Sequence, residues 1–137
     1  MQLSAKMVRE RLAHMKPRLI NCSLETSRKG QNAVGELMRA VHHGQVRVKH
    51  HDFENFEGAW VLPDDPRRDG TILYLHGGGY TCGGLEYALG FGAALADECG
   101  AKVFCAAYRL APEFPFPAAV EDAAQAYEYL LKKGYAR

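Results

Sequence analysis

The sequence predicts an α/β domain: a mostly parallel sheet with crossover helices, preceded by two amphipathic helices. Three observations predict it. Short strand-like runs begin at Val46 ("VRVKHHDF", "GAWVLP", "TILYL", "KVFCAAY"), "LEYALGFGAALADECG" reads as a helix between the last two, and "PAAVEDAAQAYEYLLKKG" reads as another after them. Alternation of this kind calls for parallel pairing, because a crossover helix is what returns a chain to the same end of a sheet. With 137 residues, 47% of them hydrophobic, the chain holds enough apolar material for one core but hardly for two.

In chain order, Val8, Leu12, Met15 and Leu19 recur at helical spacing, and Val34, Leu37, Met38 and Val41 repeat the pattern after the polar break "ETSRKGQN". Arg9, Arg11, Lys16 and Arg18 crowd the first of these helices and read as a solvated face, since acidic residues elsewhere balance them. Three strands in succession then open the sheet, the turn-forming "PDDPRRDG" preceding the third. The helix that follows stops near Gly100. In the last helix Val120, Ala124, Tyr127 and Leu131 share one face, which is expected to lie on the sheet; Pro117 suits its first turn and Gly134 its stop.

Seventeen Lys and Arg against sixteen Asp and Glu give a net charge of +1, which creates no field to gather nucleic acid or an acidic membrane surface. Neither partner is expected. Cys22, Cys82, Cys99 and Cys105 are widely spaced with no C-x-x-C, and the N-terminus has no apolar signal core, so a reduced, cytoplasmic setting is expected. No apolar run approaches the roughly 20 residues that span a bilayer. His50 and His51, on a strand, point to opposite faces, which spoils joint metal ligation. Cys82 has no Cys/His arrangement to activate it and reads as a small packed side chain.

The chemistry concentrates in "LYLHGGGY", Leu73 to Tyr80. A glycine-rich turn between strand and helix can hold a phosphate at the helix N-terminus or aim backbone N–H groups at a developing oxyanion. His76-Gly77-Gly78-Gly79 fits neither G-x-G-x-x-G nor G-x-x-x-x-G-K-[ST], so phosphate binding is the weaker reading. The motif resembles the oxyanion-hole loop of the hormone-sensitive lipase-like esterases, members of the α/β-hydrolase fold. A second block, "YRLAPEFPFPAAVEDAAQAYEYL" from Tyr108 to Leu130, resembles the strand-to-helix segment of the same family.

The likeness extends over about residues 46–135, residues 46–137 being read as the first part of the hydrolase domain, and residues 1–45 resemble the family's helical cap in position and character. It implies that Gly78 and Gly79 supply oxyanion-hole N–H groups and that His76 braces the loop. Tyr80, Leu85 and Tyr87 are candidates to border the acyl or alcohol pocket. Arg109 and Glu113 are expected to form structural ion pairs, with each other or with neighbours. Glu121 and Asp122 meet the helix dipole and need no further role. Ala107 departs from the family, where many members carry an acidic residue. No metal or organic cofactor is implied.

An oxyanion hole serves a nucleophile, here a serine in G-x-S-x-G followed by an acid and a histidine. Ser4, Ser23 and Ser27 are the only serines and none has flanking glycines; the elbow, acid and base are expected outside this chain. Three readings are open: one chain of a split or cleaved esterase acting on small carboxylic esters, an inactive truncated product, or a non-catalytic small-molecule binding protein. In each, a lone half-sheet invites a complementary C-terminal chain or self-association.

Overall fold

The computed structural model describes Glu10, Ala13 and residues 22–135; Val8, Leu12, Met15 and Leu19 of the first expected helix, and Ser4, lie outside these. The elements run α1 (Leu24–Val41), β1 (Val46–Asp52), β2 (Glu57–Pro63), β3 (Thr71–Leu75), α2 (Leu85–Cys99), β4 (Lys102–Ala107) and α3 (Ala118–Lys132). The strands form one sheet in the order β1-β2-β4-β3. β3 and β4 pair in parallel across the α2 crossover, whereas β1–β2 and β2–β4 are antiparallel. The sheet is therefore mixed, and the parallel pairing read from the alternation holds only where a helix separates two strands.

β2 and β4 sit in the middle and are covered on both faces. Val61, Val103 and Cys105 turn one way, with Leu89, Ala93 and Ala96 of α2 packed on them. Trp60, Phe104 and Ala106 turn the other way, towards Ala126 and Leu130 of α3. Successive residues facing opposite layers is the period-2 geometry of a strand, and apolar residues at both phases make the run continuous. Burial pushes the Cys105 thiol up to about 12, so it is an inert part of this core. His51 joins the second layer, stacked on Tyr129 with ring centroids 4.3 Å apart, and His50 is exposed on the other side.

Two helices differ from the sequence reading. α1 begins at Leu24, so "ETSRKGQN" is helix rather than a break. Ser23 caps it, its hydroxyl accepting the Thr26 N–H at 3.2 Å, and Glu25 pairs with Lys29 one turn on. The polar residues sit where one helix face meets solvent and loops. Val34, Leu37 and Val41 are largely exposed; the buried residue of α1 is Gly35. A Cβ there would overlap the backbone of Glu86 and Tyr87, and one on Gly90 would lie 2.6 Å from the Gly35 Cα, so α1 and α2 cross backbone on backbone.

In α3 the expected face is inverted. Val120, Ala124, Tyr127 and Leu131 are all exposed, and Ala118, Asp122, Ala126 and Leu130 form the buried stripe at i, i+4 spacing. Small alanines let the helix lie close to Trp60 and Phe104, and Asp122 is admitted because it is paired. The helix ends in a Schellman motif: Gly134 has φ +86°, its N–H donates to Leu131 O at 3.0 Å, and the Tyr135 N–H donates to Leu130 O at 3.1 Å.

Candidate active site

The glycine loop leaves the C-terminal end of β3 and turns back at Thr81 and Cys82, whose N–H groups both donate to Gly78 O, at 3.3 and 3.0 Å. Gly78 has φ +136°, and a Cβ on it would overlap the Cys82 carbonyl oxygen. Only glycine satisfies both conditions. Gly79 and Tyr80 follow in the left-handed region, at φ +62° and +61°. The N–H groups of Gly77, Gly78, Gly79 and Tyr80 donate to no acceptor among the described residues, and these residues line a cleft of about 400 Å³ with Leu75 and Val120.

His76 lies under the loop at 3% exposure. Its Nδ1 donates to Gly77 O at 2.9 Å, which leaves Nε2 as the acceptor nitrogen, buried and without a partner among the described residues. The imidazole stacks on Tyr108, centroids 4.3 Å apart and planes within 8°, while the Tyr108 hydroxyl donates to the His76 carbonyl. A base must reach the proton it takes, and this nitrogen is closed in. Burial lowers the His76 pKa below the ordinary imidazole value, the bond to Gly77 opposing it only partly.

That shift has a definite sign. A base whose folded pKa is lowered leaves the unfolded chain binding more protons, so its contribution is complete above about pH 6.5 and is lost as pH falls from there through the folded value. Urea midpoints measured from pH 7.5 down to 5.5 should therefore decline, and His76→Gln should flatten that decline. A slope identical in the two proteins would remove His76 as its source.

The second block closes the site from the opposite side. Asp122, 1% exposed, accepts the Arg109 backbone N–H at 2.8 Å and the guanidinium at 2.7 Å. It is thus a structural anchor rather than a residue serving only the helix dipole. Arg109 and Glu113 each pair with neighbours: Arg109 with Asp122, and Glu113 with Arg28 of α1 at 2.7 Å. The Arg28 guanidinium holds the Glu113 carboxyl down at about 2. Sequence reasoning missed Arg28, which lay in the supposed break with partners more than fifty positions away.

Tyr80 is exposed and borders both the loop cleft and a neighbouring apolar cavity of about 330 Å³ with Phe114, Phe116 and Val120. Leu85 instead packs against the core under α2. Tyr87 meets the His76 ring edge-on at 6.3 Å and Phe91 at 5.2 Å; neither Leu85 nor Tyr87 lines these two cavities. Cys82 is buried beside the loop. Among the described residues, no group of three or more His, Cys, Asp or Glu is placed to hold a metal, and no helix is long and apolar enough to cross a membrane. Of the serines, Ser23 caps α1 and Ser27 stands inside it.

Residues 72–136 match the model of an α/β-hydrolase family. The chain is 51% identical over 76 residues to an acetyl-hydrolase of Streptomyces hygroscopicus, covering 55% of this chain and 25% of that protein. It is 42% identical over 74 residues to an ethyl acetate hydrolase of Pseudomonas putida, covering 53% and 23%. In structure it is similar to an esterase from the bacterial hormone-sensitive lipase family, with a TM-score of 0.76 and 26% identity over 98% of this chain and 46% of that one. In sequence and in fold the chain is similar to hormone-sensitive lipase-like α/β-hydrolases. It spans about a quarter of the length of these curated relatives, and its glycine loop and Tyr108 block both fall within the residues that match the α/β-hydrolase model.

Proposed function

We propose that this chain supplies the oxyanion hole of a serine carboxylesterase acting on small carboxylic esters, with the Ser-Asp/Glu-His residues carried outside it. The observation that supports this most is the run of N–H groups at Gly78 and Gly79, unpartnered among the described residues and lining one cleft. When a serine Oγ adds to the ester carbonyl, negative charge appears on the carbonyl oxygen. Two preorganised donors there stabilise the tetrahedral state, each by about 2.7–4 kcal/mol. Collapse expels the alcohol and leaves an acyl-serine, which water then cleaves to the acid. His76 braces the loop through Gly77 O and its stack on Tyr108, and Tyr80 borders the substrate.

Small esters are favoured because the relatives at 51% and 42% identity are an acetyl-hydrolase and an ethyl acetate hydrolase. The proposed partner is a complementary chain of the same hydrolase, seated on β3. β3 pairs on one side only among the described residues, and beside it α3 exposes Val120, Tyr127 and Leu131; an open edge next to an apolar helix face is the surface a further strand and helix would cover.

The test is p-nitrophenyl acetate turnover by residues 1–137 alone and together with a chain that carries the G-x-S-x-G serine. Turnover is expected only in the second case. Robust serine-dependent hydrolysis by residues 1–137 alone would overturn the external nucleophile.

A further inference from the structure

We infer that Arg28 is a positioning residue that locks the glycine loop to the Tyr108–Pro117 loop. Its Nε donates to Thr81 O at 2.8 Å, one Nη donates to Ala111 O at 3.0 Å and to Glu113 Oε2 at 2.8 Å, and the other donates to Glu113 Oε1 at 2.7 Å. Between these contacts the Ala111 N–H donates to Tyr80 O at 2.8 Å. The guanidinium thus spans the only direct backbone bond that joins the two loops among the described residues. The Thr81 carbonyl shares its peptide plane with the Cys82 N–H, which donates to Gly78 O at 3.0 Å, and Gly78 O shares its plane with the Gly79 N–H, so fixing the Thr81 carbonyl holds the plane that aims a glycine amide.

Guanidinium suits this task because its planar donors reach four acceptor atoms on three residues at once, whereas an ammonium is a point charge on a flexible stem. An exposed ion pair alone contributes little. The two backbone carbonyls distinguish Arg28 from such a pair: both belong to the loops that face the cleft. The consequence for catalysis rests on the esterase reading above, whereas the clamp itself does not.

Amide exchange in the native assembly tests the clamp directly. In Arg28→Lys, exchange at Cys82 and Ala111 should accelerate about tenfold or more, while Val61 and Val103 in the sheet change less than about twofold, since opening is local. Glu113→Gln keeps both carbonyl bonds and should produce a smaller acceleration at the same two amides; it also serves if Arg28→Lys does not fold. Exchange unchanged at Cys82 and Ala111, or raised equally in the sheet, overturns the clamp. In the completed enzyme Arg28→Lys should lower kcat about tenfold or more with KM within about threefold, because small misplacements at a reacting centre cost that much. An unaltered kcat would overturn the catalytic consequence. Absence of ester turnover in the parent enzyme, with the exchange pattern as described, would reject the esterase reading and leave the clamp standing.

Discussion

Under the proposed esterase function, replacing Gly78 by alanine should cut kcat for p-nitrophenyl acetate by about 10²–10³ when a serine-bearing chain completes the site, the scale of losing one oxyanion donor. The reason is geometric. The residue combines φ +136° with a Cys82 carbonyl where a Cβ would stand, so the alanine form must rotate the peptide and turn its N–H out of the cleft. Holding a non-glycine residue in such a conformation costs about 1–3 kcal/mol. Gly79 makes the comparison informative, because a Cβ there meets only open space; Gly79→Ala should lose less stability than Gly78→Ala. A Gly78→Ala enzyme with kcat within about threefold of the parent would show that this amide does not serve the reaction.

Removing the Asp122 carboxylate should produce the largest loss of stability of any single change at the site. Asp122→Ala leaves the Arg109 N–H without its acceptor and the guanidinium with only Glu121, at 3.6 Å, and an N–H left unsatisfied costs about 1–3 kcal/mol in addition to the lost ion pair. Asp122→Asn retains an oxygen and the side-chain shape and should cost less. Urea unfolding of the three proteins under one set of conditions decides it. A loss for Asp122→Ala under about 1 kcal/mol would put the pair on the footing of a surface ion pair.

The elements legible in the sequence were those whose determinants are local. Gly100 and Gly134 stop their helices through left-handed backbone that only neighbouring residues need specify, and "LYLHGGGY" carries its turn within eight residues. Asp122 and Arg28 were not legible, because each is explained by a partner brought close only by the fold: Arg109 across a loop, and Thr81, Ala111 and Glu113 across the molecule. Polarity alone put Arg28 in a break and gave Asp122 only the helix dipole to meet. The same habit placed Val120, Tyr127 and Leu131 inside, although the small side chains of Ala118 and Ala126 decide which face of α3 can approach the aromatic layer.

The crossing of α1 on α2 at Gly35 and Gly90 has a mechanical consequence. With no side chain between the two backbones, α1 can settle no closer to α2 at this crossing, which can serve as a fulcrum. Arg28 stands two turns away along the same helix, a lever arm of about 10 Å at 1.5 Å per residue. A tilt of about 10° about the fulcrum carries the guanidinium nearly 2 Å, more than the distance tolerance of a hydrogen bond. The inclination of one N-terminal helix is thereby converted into the register of two loops that never touch the fulcrum themselves.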